Sequence, residues 1–436
     1  MNRMEVSHFY GRQVLAYPCE MDNLPSEIQI IDPIEIRSTT IRCRRCNQII
    51  KKPDAALPHH QYYCPTCINL GRVSTLAKFY HLPEPNQFEI PPTILTWQGQ
   101  LSSLQTMAAQ EVAASMAHHD HRLLWAVTGA GKTEMIFPGL AAAIKRGERL
   151  AIASPRVDVC LELYPRLQEA FANTKIALSH GRQPEQYHYW QLTICTTHQL
   201  LRFYQAFDNL IIDEVDAFPY ASNEQLIYAT HQAIKPTGGL LYLTATPGPA
   251  LFKQIKKHQL KVSYLPLRYH GHLLPEIKVK RAGRWRHRLP KSLIQWIKHR
   301  LGKLEMLIFV PHVADLAYVE TIFKEQIHQA RFTTVHAADP QRLEKVQAMR
   351  DHQYDFLITT TILERGVTLP KIDVAVLGAD DQVFSASALV QIAGRVGRSS
   401  ERPGGDVTFW VQEPAVNVKE AQRQIKQMNR RGRHYQ

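Results

Sequence analysis

Ten short, continuous apolar runs fall into two sets of five along this 436-residue chain, and that pattern restricts the fold more than any other feature. The first set is Leu123–Val127, Leu150–Ala153, Leu192–Cys195, Leu210–Ile212 and Leu240–Leu243. The second is Met306–Val310, Phe332–Val335, Phe356–Ile358, Val374–Leu377 and Val407–Val411. Runs this short and this uniformly apolar read as strands buried on both faces, which is the signature of parallel sheets. Helical patterns between them supply the crossovers that parallel strands require. Two successive α/β layers of similar size follow. A domain holds about 100 to 200 residues, so two to four domains are expected. The boundaries are read as 1–90 for a polar, proline-spotted N-terminal region, 91–267 for the first layer and 268–436 for the second. The stretch His81–Pro92, with Pro83, Pro85, Pro91 and Pro92, reads as a linker.

The turn after the first run is Ala126-Val127-Thr128-Gly129-Ala130-Gly131-Lys132-Thr133, followed by a helical stretch, Glu134 to Lys145. Strand, glycine-rich turn and helix N-terminus together form a phosphate-binding loop: backbone N–H groups crowd the phosphates and the helix adds positive potential. The candidate nucleotide contacts are Thr128, Gly129, Ala130, Gly131, Lys132 and Thr133. Lys132 reaches the β- and γ-phosphates, and Thr133 offers a hydroxyl to Mg²⁺. Ala126 stands where the general pattern has its first glycine. Pro138 should kink the helix or make its start irregular.

The fourth run ends in Asp213-Glu214-Val215-Asp216, 81 residues after Lys132. Carboxylates at the carboxyl end of a parallel strand are placed to handle a metal and a water. Asp213 is the candidate Mg²⁺ holder, and Glu214 the base for the attacking water. In the second set, Gln391-Ile392-Ala393-Gly394-Arg395-Val396-Gly397-Arg398 carries two arginines three apart. On a helix they would share one face, where each can grip a phosphate bidentately. Arg395 and Arg398 would then reach the γ-phosphate only on closure of the two layers.

Cys43-Arg44-Arg45-Cys46 and Cys64-Pro65-Thr66-Cys67 are separated by 17 residues. Two C-x-x-C pairs at this spacing predict a structural Zn²⁺ held by Cys43, Cys46, Cys64 and Cys67. His59 and His60 are substitute ligands, and an iron–sulfur cluster is the chemical rival. Arg37, Arg42, Arg44, Arg45, Lys51, Lys52, Tyr62 and Tyr63 lie around the pairs. They suit nucleic-acid contact, while a staple for a small domain is the competing reading.

The 52 basic and 39 acidic residues give a net charge of +13, which favours a polyanionic partner: nucleic acid first, an anionic membrane surface second. Basic residues concentrate in 268–303, with Trp285 and Trp296 among them, and again in 423–433. Each stretch is either a solvated face or a track for a nucleic-acid backbone. No apolar run approaches the ~20 residues needed to span a bilayer. No secretory signal is visible. The expectation is a cytoplasmic protein, or one peripheral to a membrane.

From about 97 to 400 the chain resembles superfamily 2 helicases and translocases. Ala153-Ser154-Pro155-Arg156 resembles motif Ia, Thr196-Thr197-His198-Gln199-Leu200 motif Ib, and Thr244-Ala245-Thr246 motif III, which in the family couples hydrolysis to domain movement. Phe309-Val310-Pro311 resembles motif IV, and Thr359 to Val367 motif V. The resemblance implies two tandem RecA-like domains behind the zinc module. It implies Arg156, His198 and Thr360 as DNA contacts and Gly366 as an ATP contact. Gln105 is the implied adenine reader, with Gln98 and Gln100 competing.

The cysteine module ahead of the motor, Trp97-Gln98-Gly99-Gln100-Leu101, and Trp125 to Thr133 together resemble the ComFA family of late-competence DNA-uptake proteins. That resemblance implies a DNA-dependent ATPase that pulls transforming single-stranded DNA inward during natural competence, using ATP with Mg²⁺. It places the protein at the inner face of the cell membrane, with ComFC, DprA and a membrane channel as partners, and leaves room for a homo-oligomer. Two other readings stand beside it: a duplex-unwinding helicase of replication restart or repair, and an ATP-switched adaptor that docks through its zinc module.

Overall fold

The computed structural model describes residues 5–21, 24–181, 187–364 and 369–436. The chain divides into two compact units, Met1–Leu124 with Thr133–Ser263 and Trp125–Lys132 with Tyr264–Gln436.

The N-terminal region is built from eight short strands. β1 (Val14–Ala16) and β2 (Gln29–Ile31) flank β8 (Lys78–His81) in an antiparallel sheet. Between β2 and β8, β3 (Ile34–Ile36), β4 (Thr40–Cys43) and β5 (Ile49–Lys51) form a second antiparallel sheet. β6 (Ala56–Leu57) and β7 (Gln61–Tyr62) pair as a small hairpin. Strands this short carry little core of their own, so their stability has to come from a cross-link or a neighbour.

The first α/β layer runs α1 (Ser103–Ala117), β9 (Arg122–Ala126), α2 (Lys132–Lys145), β10 (Leu150–Ser154), α3 (Val157–Ala170), β11 (Ile176–Ser179), β12 (Leu192–Thr196), β13 (Phe207–Asp213), α4 (Glu224–Ala233), β14 (Ile234–Thr244), α5 (Pro249–Lys256) and β15 (Lys261–Leu265). Its seven strands lie in the order β11-β12-β10-β13-β14-β9-β15. The β11–β12, β12–β10, β10–β13 and β13–β14 pairs are parallel. All five apolar runs of the first set are strands, and β10, β12 and β13 are buried throughout. Two strands were not foreseen: β11 and β15 sit at the sheet's edges, where partial exposure weakens the apolar signal.

The second layer runs β16 (Ile277–Arg281), α6 (Lys291–Lys298), β17 (Met306–Phe309), α7 (Val313–Gln326), β18 (Phe332–Val335), α8 (Arg342–Arg350), β19 (Phe356–Thr359), β20 (Asp373–Leu377), α9 (Ala386–Ala393), β21 (Val407–Val411) and α10 (Val416–Gly432). The strand order is β16-β21-β20-β17-β19-β18, and every neighbouring pair is parallel. The two RecA-like sheets expected from the sequence are present.

The basic segment 268–303 is more structured than its composition suggested. Trp285 and Trp296 are buried in the core of this layer with Ile308, Phe323, Phe356 and Trp410, so neither is available to stack on a base. Trp296 donates its indole N–H to Asp406 (2.9 Å), and Arg300 lies over its ring. Arg286 pairs with Asp315 and Asp381, Arg300 with Asp373 and Asp406, and Lys278 with Asp406. Three of the segment's eleven basic residues are thus held by carboxylates of the same layer.

The connector after β8 holds no regular element from 83 to 100, as its prolines foretold, yet it is fastened along its length. Glu84 pairs with Arg149 at 2.5 Å with neither side chain exposed. Asn86 donates to Asp208 (3.0 Å), and Thr96 bonds the carbonyls of Glu169 and Ala170. Trp97 packs edge-on against Phe137.

Candidate functional site

The candidate phosphate loop is the turn from β9 into α2. Val127 N–H is bonded to Leu265 O and Ala130 N–H to Val127 O, which fixes the start of the turn. Gly129 and Gly131 have φ of +77° and +74°, a backbone region open to glycine at little cost. α2 begins at Lys132, so the loop delivers the chain straight into a helix N-terminus, whose dipole favours an anion. Pro138 lies inside one continuous helix, Lys132–Lys145.

The carboxylates occupy the end of β13. Asp213 is its last residue and nearly buried, and its Oδ1 accepts Glu214 N–H at 2.9 Å. Glu214 adopts φ +55°, unusual for a residue with a side chain and a mark of local strain held by its surroundings. The surroundings are visible. Ala217 N–H returns to Glu214 O at 2.8 Å, and Asp216 accepts hydroxyl hydrogen bonds from Thr244 and Thr246, each 2.5 Å. Thr246 N–H is bonded in turn to Thr244 Oγ1 at 2.9 Å. The parallel register that sets Asp213 against Leu243 brings the two strand ends together. Asp216, Thr244 and Thr246 were absent from the sequence-derived site. The spacing of Asp216 from the Thr-Ala-Thr motif gave no hint of contact, which comes from the pairing of β13 with β14.

The arginines lie differently from the expectation. α9 is capped by Ser385, whose Oγ accepts Ala388 N–H at 3.1 Å, and it ends at Ala393. Gly394 to Gly397 form a turn, with Gly397 at φ +72°. Arg395 and Arg398 therefore follow the helix and do not share a helical face: the helix ends at Ala393 with Gly394 as its C-cap, and Gly397, between the two arginines, turns the chain. Arg395 is buried and donates Nε–H to Glu364 O at 3.0 Å, while Arg398 Nε donates to Gly394 O at 3.2 Å. Gln391 is buried.

A residue that sequence reasoning missed holds this turn. Arg268, also buried, donates from Nη1 to Val396 O (2.5 Å) and to Gly397 O. Burial, followed by the like charge of Arg398, draws its guanidinium pKa down from the ordinary value to about 9. Among eleven basic residues in 268–303, nothing in the sequence marked it.

The expected DNA contacts are dispersed over their elements. Arg156 is the half-buried N-cap of α3 and donates its N–H to Ser154 Oγ, His198 is exposed in the turn after β12, and Thr360 is buried just past β19. Gln105 is largely taken up locally: it forms a capping box with Ser102, accepting Ser102 N–H at 2.9 Å. Gly366 lies outside the described residues.

Cys43, Cys46, Cys64 and Cys67 are buried, with all four Sγ atoms within 4.8 Å of one another. A tetrahedral Zn²⁺ with bonds of about 2.3 Å places its sulfurs about 3.8 Å apart. Cys43 and Cys67 are separated by 3.8 Å, and Cys46 and Cys64 by 3.6 Å, so the donor set fits that ion. Neither His59 nor His60 belongs to the cluster. Arg45, one of the basic residues expected near nucleic acid, is buried and donates to Leu70 O (2.9 Å) and Gly71 O (3.0 Å), fastening one cysteine knuckle to the next turn.

Two parallel-sheet layers, one with a phosphate loop and a clamped acidic strand end and one with an arginine turn, define an ATP-hydrolysing motor of the superfamily 2 helicase class. Comparison with known proteins agrees. Residues 98–248 match the family described as type III restriction enzyme, res subunit, and residues 288–400 match the helicase conserved C-terminal domain. The competence protein ComFA of Bacillus subtilis is 41% identical over 405 residues, covering 91% of this chain and 87% of that protein. ComFA of Streptococcus pneumoniae is also 41% identical, over 395 residues, covering 89% and 90%. The chain belongs to the ComFA family of competence proteins. In fold alone it is similar to the Mycobacterium smegmatis helicase Lhr bound to single-stranded DNA and AMP-PNP, with a TM-score of 0.54 at 15% identity, covering 76% of this chain and 50% of that one. No helix among the described residues is long and apolar enough to cross a membrane.

Proposed function

We propose that the chain is an ATP-driven translocase on single-stranded DNA that draws transforming DNA inward during natural competence. The observation that carries the reading is the carboxylate turn: a strained Glu214, with Asp213 before it and Asp216 gripped by Thr244 and Thr246 after it. That arrangement joins a water-activating group to the strand end that would move with it. The membership in the ComFA family supplies the competence setting.

In this reading ATP arrives as its magnesium complex, which neutralises phosphate charge. Gly129, Ala130, Gly131, Lys132 and Thr133, with Thr128, cradle the phosphates, and Gln105 meets the base through its side-chain amide. Thr133 and Asp213 would hold the magnesium ion, which would offset phosphate charge during hydrolysis. Glu214 takes a proton from a water as that water attacks the γ-phosphorus and the β,γ-bridging bond breaks. Arg395 and Arg398 stabilise the charge on the transferred group. Arg156, His198 and Thr360 hold the strand by its backbone, which leaves its sequence unread. Cys43, Cys46, Cys64 and Cys67 hold Zn²⁺, whose binding energy supports the folding of the short-stranded N-terminal region. The reading places the protein at the inner face of the membrane, working with ComFC, DprA and a channel.

The test is ATP turnover measured with single-stranded DNA, duplex DNA, RNA and no polymer, alongside translocation and strand-displacement assays. Single-stranded DNA should stimulate most, and Lys132→Ala and Glu214→Gln should abolish turnover with DNA binding retained. Stimulation by RNA alone would overturn the competence role. Efficient strand displacement would favour a duplex-unwinding enzyme, and indifference to every polymer would favour an ATP-switched adaptor.

A further inference from the structure

The last helix of the fold, α10, presents one uninterrupted line of positive charge. Lys419, Arg423, Lys426, Arg430 and Arg433 are all exposed and follow one another at spacings of four, three, four and three residues. At 100° per residue those positions share a single narrow face, and the line extends for about 21 Å. No neutral or acidic side chain interrupts it. The acids beside it are Glu420, which pairs with Arg423 at 2.9 Å, and Glu276, which reaches Arg433 at 3.8 Å. Lys419, Lys426 and Arg430 have no ion pair among the described residues.

The fold does not need this line. α10 is held by its opposite face, where Val418, Ala421, Ile425, Met428 and Asn429 are buried. Like charges at i,i+4 weaken a helix by a few tenths of a kcal/mol per pair, so mixed charges would serve the fold better. A helix that lies on a membrane places an apolar face among the acyl chains. The apolar face of α10 is consumed by packing; the basic line is flanked by Gln422 on one side and by Glu420 and Gln427 on the other, and Val416 in the first turn is the one exposed apolar residue beside it. Charge without an insertable face suits a phosphate backbone.

We infer that the basic line of α10 is a second contact for the single strand, lying outside the motor motifs and holding a length of strand that the motor has passed or has yet to engage. This rests on the proposed reading of the chain as a motor on single-stranded DNA. The test is the full chain carrying Lys419→Gln, Arg423→Gln, Lys426→Gln and Arg430→Gln, glutamine being a good helix former. Binding to single strands of 15 and 60 nucleotides is measured by anisotropy across a salt series. ATP turnover with the 15-mer and co-sedimentation with phosphatidylglycerol vesicles are measured in parallel.

Each phosphate contact on a single strand contributes about 0.7 to the slope of log affinity against log salt, so four lost contacts should lower the 60-mer slope by about 3. Between 50 and 200 mM salt the parent should therefore lose about 50-fold more 60-mer affinity than the variant. Turnover with the 15-mer and the melting temperature should stay at the parent's values. An unchanged 60-mer affinity and slope overturns the inference, as does a loss confined to vesicle binding. If the parent itself neither binds a single strand nor responds to one, the motor reading has failed and takes this inference with it.

Discussion

Arg149 and Glu84 form an ion pair at 2.5 Å in which neither side chain reaches solvent. Arg149 opens just before β10, and Glu84 belongs to the connector from the cysteine-bearing region, so the pair fastens that region to the first sheet. Tyr187 accepts a further bond from Arg149 at 2.7 Å, and the rings of Tyr189, Phe203 and Phe207 enclose the guanidinium. Removing one member of a buried pair strands the other charge at about 3 to 5 kcal/mol, whereas replacing both by apolar groups is often neutral. Glu84→Ala should lower the first unit's melting temperature by roughly 10 °C. Arg149→Met combined with Glu84→Leu should recover most of that loss. A single variant that melts like the parent would show that the connector is not held by this pair.

The seven cysteines should report the metal site by their reactivity. Cys19 is exposed, whereas the four cluster cysteines, Cys160 and Cys195 are buried. Burial pushes the Cys160 thiol up to about 12 and that of Cys195 well above its ordinary value, so both stay protonated and slow near neutral pH. Native protein should therefore show one fast thiol towards an aromatic disulfide reagent, and five once a strong chelator has removed Zn²⁺. Full unfolding should expose all seven. Elemental analysis should find about one zinc per chain. Five fast thiols before any chelator would mean that the cluster does not retain the ion.

The clamp on Asp216 should matter more to turnover than to nucleotide binding. A hydrogen bond to a charged group contributes about 1.5 to 3 kcal/mol, and Thr244→Val removes the one to Asp216, together with the acceptor for Thr246 N–H, while nearly preserving volume. Each 1.36 kcal/mol lost from the transition state is tenfold in rate, so kcat should fall by at least about tenfold. KM for ATP should change far less, since the phosphate loop is untouched. Thr244→Ser, which keeps the hydroxyl, should restore most of the rate. Equal effects from the valine and serine variants would mean that the methyl group, and not the hydrogen bond, is what matters.

The legible parts of this molecule were those whose chemistry is local in sequence. Continuous apolar runs marked β10, β12, β13, β17 and β20 because both faces of a central parallel strand are covered. The cysteine pairs were legible because each knuckle is encoded in four consecutive residues. Edge strands were not: β16 reads Ile-Lys-Val-Lys-Arg and is mostly exposed, so it passed for part of a basic stretch. Trp285 and Trp296 were misread for a related reason, since aromatic residues among cations look the same whether they face solvent or a core. The Asp216 clamp and the Arg268 contacts join residues 28 to 129 positions apart, which only the folded sheet brings together.

Arg268 is the residue whose role departs most from its appearance in the sequence. In the proposed reading it is a positioning residue: its guanidinium donates to the carbonyls of Val396 and Gly397, between Arg395 and Arg398, and would set where the turn presents them. Arg268→Met keeps the length of the stem but removes the donors. Carbonyls that were satisfied in a buried setting then lose a charged partner, and the turn relaxes. Displacing a charge-stabilising group by about 1 Å can cost roughly 100-fold in rate. The expected outcome is a fall in kcat of that order with KM for ATP within about threefold, because the phosphate loop still binds ground-state nucleotide. Arg268→Lys, which retains one donor-bearing cation, should recover part of the loss. A merely structural role would lower the melting temperature of both variants without separating kcat from KM, so steady-state kinetics set beside thermal melts decides between the two. A methionine variant with the parent's kcat would remove Arg268 from the machinery of the arginine turn.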